Sequence, residues 1–238
     1  MKIHEKGLRG FFGLTASEPM WSVQDVSKGI TLVALLAILI FPLGLFGRGV
    51  YPNHVLILGL VLTLLLQTGM LAAVWLFGVR RSQSWAEVGL RVSSTSFAHS
   101  LLPALVLMTG LGASMIYWML ASWTKIEVLH PTTPPGLSEL EGPVRLASAI
   151  IIVGIGPLVE EIFFRGFVLA GLVARLGIAR GMAISCLLFA VAHLSLGLII
   201  PIFIFGILLS WLYLKTRSII PGLMAHSAQN ALAFMALA

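Results

Sequence analysis

Acidic residues are scarce in this sequence. From Gly142 to Ala238 there are only two, Glu160 and Glu161, side by side. Charge of either sign is scarce as well: 10% of the 238 residues are Asp, Glu, Lys or Arg, against about 25% in an ordinary soluble domain. With 58% hydrophobic residues and a mean hydropathy of +1.02, the chain cannot hide its apolar surface in a core of its own. Lipid must solvate most of it. The single cysteine, Cys186, excludes an intramolecular disulfide, and its place inside an apolar run reads as packing. No small-x-small cleavage site follows the first apolar run, so no cleavable signal peptide is expected. The net charge of +6 sits in short gaps between apolar runs. That pattern sets orientation in a membrane, and no nucleic-acid partner is expected.

The apolar runs predict an all-α polytopic membrane protein with about seven transmembrane helices enclosing an intramembrane active-site cavity. The expected spans are 30–46, 54–78, 99–123, 144–173, 180–196, 197–214 and 219–238, each near the roughly 20 residues that cross a bilayer. The chain divides into a basic N-terminal segment 1–29, a three-span region 30–123, a polar loop 124–142 and a core 143–238. Within the first segment, "SEPMWSVQDVSK" predicts a short interfacial helix. Ser17 would cap it, Pro19 would lie in its first turn, and Met20, Trp21 and Val23 would touch lipid. The fourth span is long enough to tilt, to kink at Pro157, or to run on beyond the bilayer. The fifth and sixth nearly fuse at "HLSLG", which predicts a re-entrant segment or a very tight joint.

Basic residues fall in alternate gaps: Arg80, Arg81 and Arg91, then Arg175 and Arg180, then Lys215 and Arg217. By the positive-inside rule those gaps and the N-terminus are cytoplasmic, in a multi-pass protein of the cell membrane. Trp118, Trp123, Trp211 and Tyr213 near span ends suit the interfacial aromatic belt. Gly69 with Ala73, and Gly166 with Ala170, have the small-residue spacing of close helix packing.

Three polar clusters lie inside predicted spans: Glu160-Glu161 with Arg165, then His193, then His226 with Asn230. Burying such groups in hydrocarbon costs several kcal/mol unless partners compensate, so each is a functional candidate. Adjacent helical residues point about 100° apart. Glu161 therefore shares a face with Arg165, four residues on, while Glu160 points elsewhere. Phe189 and His193 have the same spacing, as do His226 and Asn230. At 1.5 Å per residue, Glu160 lies about 22 Å from Arg175, His193 about 20 Å from Arg180 and His226 about 10 Å from Ile219. All three clusters can meet in one cavity. There Glu160 can take a proton from water, His193 can hold that water, and His226 with Asn230 can stabilise an oxyanion.

"EEIFFR" at 160–165 matches EExxxR, "FAVAH" at 189–193 matches FxxxH, and "HSAQN" at 226–230 matches HxxxN. In this order and at membrane positions they resemble the CPBP family of CAAX proteases and bacteriocin-processing enzymes, also called Abi, over about residues 143–238. The resemblance implies an intramembrane endopeptidase acting on membrane-associated substrates, either CAAX-like proteins or bacteriocin-related peptides. It implies that Glu160 activates water with His193 beside it. His226 and Asn230 form the oxyanion site, with Glu161, Arg165 and Phe189 in support. The alternative is a catalytically inactive scaffold or immunity protein of the same family. The sequence has no HExxH zinc signature, and a metal-independent mechanism is preferred. A zinc site, if present, would use Glu160, His193 and His226. The expected partners are the lipid bilayer and a peptide or protein substrate. Substrate identity and oligomeric state are not legible.

Overall fold

The computed structural model of the protein describes residues 19–50, 55–80, 83–92, 96–124, 126–130 and 141–237. Among these there are seven long helices and no strand. They are α1 (Val23–Val50), α2 (Val55–Val74, prolonged by a π-helical Trp75–Val79) and α3 (Ser96–Thr124), then α4 (Gly142–Leu176), α5 (Ile178–Val191), α6 (Leu196–Thr216) and α7 (Ile220–Leu237). Stretches of α1, α2, α3, α4 and α6 are long and apolar enough to cross a membrane. The chain is an all-α polytopic membrane protein, with a helix for each of the seven expected spans.

The predicted interfacial helix is not a separate element. A helix starts at Val23 and runs unbroken into the first span. Its cap is Ser22, whose Oγ accepts from the Asp25 backbone N–H at 3.3 Å, while the Asp25 carboxylate accepts from the Ser22 backbone N–H at 2.9 Å. This reciprocal box satisfies two donors at the helix start. Ser17 lies outside the described residues, as do 131–140 of the polar loop. Met20 is exposed, as expected, but Trp21 is buried at 3% exposure. Its indole N–H donates to the Phe167 carbonyl at 3.0 Å. That polar partner, together with ring contact to Phe167, draws Trp21 into the protein and away from lipid.

In the spanning stretches of α4 and α6, 44% of the residues are buried, against 11–22% for the first three spans. The centre of the bundle is therefore α4 and α6. The α1–α2 hairpin packs on one side of α4, while α3 lies against α6 and α7. Gly69 and Ala73 do mediate close packing: a methyl at Gly69 would meet Leu36, and one at Gly29 would lie 3.6 Å from the Ala73 methyl. Gly166 meets a different neighbour, since a methyl there would strike the Val88 carbonyl in the α2–α3 connection. Residues 161–172 of α4 are all buried, because the start of α1 and the 83–92 turn enclose them.

The same turn accounts for Tyr213. It is not in an aromatic belt but 3% exposed, under Gly89, whose φ of +86° suits a residue without a Cβ. Trp123, at 74% exposure, does lie on the surface. The basic gaps meet at one end of the bundle. Arg91 Nε donates to the Arg217 carbonyl at 2.7 Å, and the Ile219 N–H donates to the Gly89 carbonyl at 2.9 Å. Beside them, Gly171 of α4 packs on Val26 and Trp21. The 126–130 segment sits at the opposite end of α6, where Gly197 contacts the His130 carbonyl.

The α5–α6 joint is very tight. Helix α5 ends at Val191, Leu194 takes a left-handed φ of 51°, and α6 begins at Leu196. With 14 residues, α5 is about 21 Å long, short of the roughly 30 Å hydrocarbon core.

Candidate active site

Two π-helical stretches, Ile150–Ile155 and Glu161–Leu169, flank the turn of α4 that carries Pro157 and Glu160. Proline cannot donate the i→i−4 bond, and wider turns beside it absorb the missing donor. Such turns also leave carbonyls for side chains. The Asn230 amide on α7 donates to the Ile152 carbonyl at 2.9 Å, tying α7 to the first π stretch.

Glu161 is fully buried. Its Oε1 lies 3.0 Å from Arg165 Nη1 and accepts from His226 Nδ1 at 3.0 Å. The Arg165 guanidinium also lies 4.0 Å from the centre of the Phe189 ring. A desolvated cation–π contact of this kind contributes about 2 kcal/mol. Phe189 then carries the imidazoles: its ring centre is 4.9 Å from that of His193 and 5.7 Å from that of His226, both edge-on. The aromatic of FxxxH is thus the common floor for the guanidinium and both histidines.

Glu160 differs from its neighbour. Its side chain is 24% exposed, and its Oε2 lies 3.7 Å from His226 Nε2. The local helical argument separated the two carboxylates by face, yet one imidazole reaches both, a nitrogen toward each. Because Nδ1–H is engaged by Glu161, Nε2 is the nitrogen that faces Glu160. With His226 protonated, two carboxylates and two cations would balance around this point.

His193 stands at the end of α5 with its ring exposed and its Nδ1 2.8 Å from the Phe189 carbonyl. A carbonyl can only accept, so Nδ1 carries the hydrogen and Nε2 is left open. His193 joins the cluster through the Phe189 ring. Among the described residues, no three of His, Cys, Asp and Glu converge as a metal ion requires. His193 and His226 each commit Nδ1 to a protein partner. Each imidazole keeps Nε2 uncommitted, and Glu160, His193 and His226 are not gathered into a three-ligand set among the described residues.

One neighbour of the site escaped the sequence reading. Gln67 on α2 is buried at 6% exposure, and its Oε1 has no hydrogen-bond partner. A methyl at Gly156 would lie 3.1 Å from Gln67 Nε2 and 3.9 Å from Glu160 Oε1. The signal was present in "LTLLLQTGML", a lone carboxamide in an apolar span, but no local spacing ties it to Glu160. An apolar groove lined by Ile150, Val153, Ile155, Leu158, Leu223 and Ser227 opens between α4 and α7. Cys186 is buried with its Sγ 3.4 Å from Ser210 Oγ, a packing role as expected.

Residues 142–232 match the model of the Rce1-like family, described as type II CAAX prenyl endopeptidase Rce1-like. The UPF0177 protein YxdF of Lactococcus lactis subsp. lactis (strain IL1403) is 29% identical over 101 residues, 42% of this chain and 55% of that protein. The chain thus spans about half the length of that curated relative. No solved structure matches it. All three motifs, and every contact of the buried cluster around Glu161, fall within the matched span. Over residues 142–232 the chain is similar to the Rce1-like family of type II CAAX prenyl endopeptidases.

Proposed function

We propose that the protein is an intramembrane endopeptidase that hydrolyses peptide bonds of membrane-associated substrates with water activated by Glu160. One observation carries the reading. Buried Glu161 is ion-paired with Arg165 and bound by His226 through its Oε1, and the half-open carboxylate beside it has the geometry of a base held ready. Glu160 takes a proton from water while the water oxygen bonds to the carbonyl carbon. The carbonyl π electrons move to oxygen, which His226 Nε2–H stabilises in the protonated ring. Asn230 has a second amide hydrogen for the same oxygen. Glu160 then returns the proton to the leaving nitrogen as the C–N bond breaks. His193, with Nε2 open, accepts the other hydrogen of the water. The groove between α4 and α7 is apolar, which favours substrates carrying hydrophobic or lipidated segments.

The test uses purified full-length protein in lipid and an internally quenched peptide bearing an S-farnesyl cysteine three residues from its end. Turnover should persist after exhaustive chelation. Asn230→Ala should slow it about a hundredfold, the usual cost of one oxyanion donor. Loss of activity on chelation with recovery on adding zinc would overturn the metal-independent mechanism. No turnover by the wild type would favour a binding role for the pocket.

The orientation we infer places the N-terminus and the joined basic gaps in the cytoplasm, because the segments that carry Arg91 and Arg217 meet at one end, beside the start of α1 and the end of α4. Val128, exposed at the opposite end, provides the check. In a Cys186→Ser background, Val128→Cys should react with a membrane-impermeant maleimide on intact cells. Labelling only after lysis would reverse the topology.

A further inference from the structure

We propose that the cavity at the basic end of the bundle binds the phosphate group of an anionic phospholipid, held by Arg91 and Arg217. The site lies apart from Glu160, and the proposal is independent of the peptidase reading. The cavity has a volume of about 140 Å³. Arg91 and Glu87 of the 83–92 turn line it, with Tyr213 and Arg217 at the end of α6, Ala170 of α4, and Pro19 just before α1. A water molecule takes up roughly 30 Å³ in the liquid, so the space admits a group the size of phosphate.

Three observations carry the proposal. First, the two arginines are fixed at one place. Arg91 Nε donates to the Arg217 carbonyl at 2.7 Å, the Ser218 hydroxyl donates to the Arg91 carbonyl, and the Arg217 N–H donates to the Tyr213 carbonyl at 2.7 Å. Like charges brought to one cavity repel, and an anion between them removes that repulsion. Guanidinium N–H groups also match phosphate oxygens in pairs. Second, the cavity lies at the depth of lipid headgroups. Arg217 directly follows the α6 span, which ends at Thr216, and Pro19 lies just before the α1 span, which starts at Val23. Basic pockets between spanning helices at this level recognise phospholipid headgroups. Third, the turn that supplies Arg91 also exposes Trp85, Leu90 and Val92. Apolar side chains interleaved with a cation suit a segment lying in the membrane interface, which brings lipid to the cavity as well as dissolved anions.

Glu87 sets the charge that the cavity takes. Two arginines against one carboxylate leave a single net positive charge. A phosphodiester, with one negative charge, matches it. Inorganic phosphate, close to a dianion in mildly alkaline buffer, exceeds it.

The test uses full-length protein, stripped of lipid in a neutral detergent and mildly alkaline buffer. Dioleoyl phosphatidylglycerol at saturation should raise the melting temperature by roughly 5 °C or more, while dioleoyl phosphatidylcholine and inorganic phosphate should move it by less than about 1 °C. Arg217→Gln keeps the backbone bonds and removes one charge. It should require about tenfold more phosphatidylglycerol for the same rise, with the lipid-free melting temperature unchanged. Glu87 is exposed, so Glu87→Gln should fold as the wild type does. It raises the net charge of the cavity and should add a response to inorganic phosphate. An equal rise with phosphatidylcholine, an unaltered lipid response in Arg217→Gln, or a Glu87→Gln protein indifferent to phosphate would overturn the proposal. A rise with inorganic phosphate in the wild type as large as that with the lipid would assign the cavity to a dissolved anion and overturn the lipid. Should Arg217→Gln fail to fold, the lipid comparison and Glu87→Gln decide without it.

Discussion

Glu160→Gln should abolish turnover while leaving the protein folded. Glutamine keeps the shape and an acceptor oxygen but cannot take a proton from water. Removing a positioned general base costs typically 10²–10⁴-fold. The loss should be near the upper end, because the other carboxylate at the site is already engaged by Arg165 and His226. Stability should change little. The Glu160 side chain is 24% exposed, and its contact to His226 is 3.7 Å, beyond hydrogen-bond range. Rates on the quenched peptide and melting curves in lipid, taken on one preparation, check both halves. Cleavage at the wild-type rate would remove Glu160 from the mechanism. A collapse in melting temperature would make it a structural residue.

The second large effect is the converse, a loss of fold before a loss of chemistry. Arg165→Ala removes a 1% exposed guanidinium and leaves Glu161, fully buried, with His226 as its remaining partner. Breaking a buried pair from one side costs about 3–5 kcal/mol, because the other charge stays behind unpaired. The cation–π contact to Phe189 goes as well. For a chain of this size, that corresponds to a drop in melting temperature of roughly 10 °C. The double variant Arg165→Met with Glu161→Gln removes both charges and should regain much of the stability, although not the activity, since His226 loses its carboxylate anchor. If Arg165→Ala melts like the wild type, the guanidinium is not what holds Glu161. If the double variant melts no higher than Arg165→Ala, the deficit is lost packing and not an unpaired charge.

By itself, the sequence determined whatever depends on composition and short-range spacing. Low charge and long apolar runs dictate helices in lipid, because no other open structure satisfies the backbone there. The i,i+4 spacing of Glu161 and Arg165 dictates their pairing, since 3.6 residues per turn brings them to one face. The FxxxH and HxxxN motifs mark the remaining polar positions. Only the tertiary structure decided how these parts meet. That His226 reaches both glutamates follows from the register of α7 against α4, which the π-helical turns and the Asn230 tie to Ile152 adjust. That Trp21 leaves the lipid, Tyr213 leaves the aromatic belt, and residues 161–172 acquire a protein coat follows from how the start of α1 and the 83–92 turn fold over the end of α4. Gln67 comes beside Glu160 from nearly a hundred residues away, through the packing of α2 on Gly156–Glu160. The physical reason is common to all of these. Helical periodicity is a property of the nearest turn, whereas register between helices is set by side-chain volumes and by small residues such as Gly156 and Gly166, whose partners are distant in sequence.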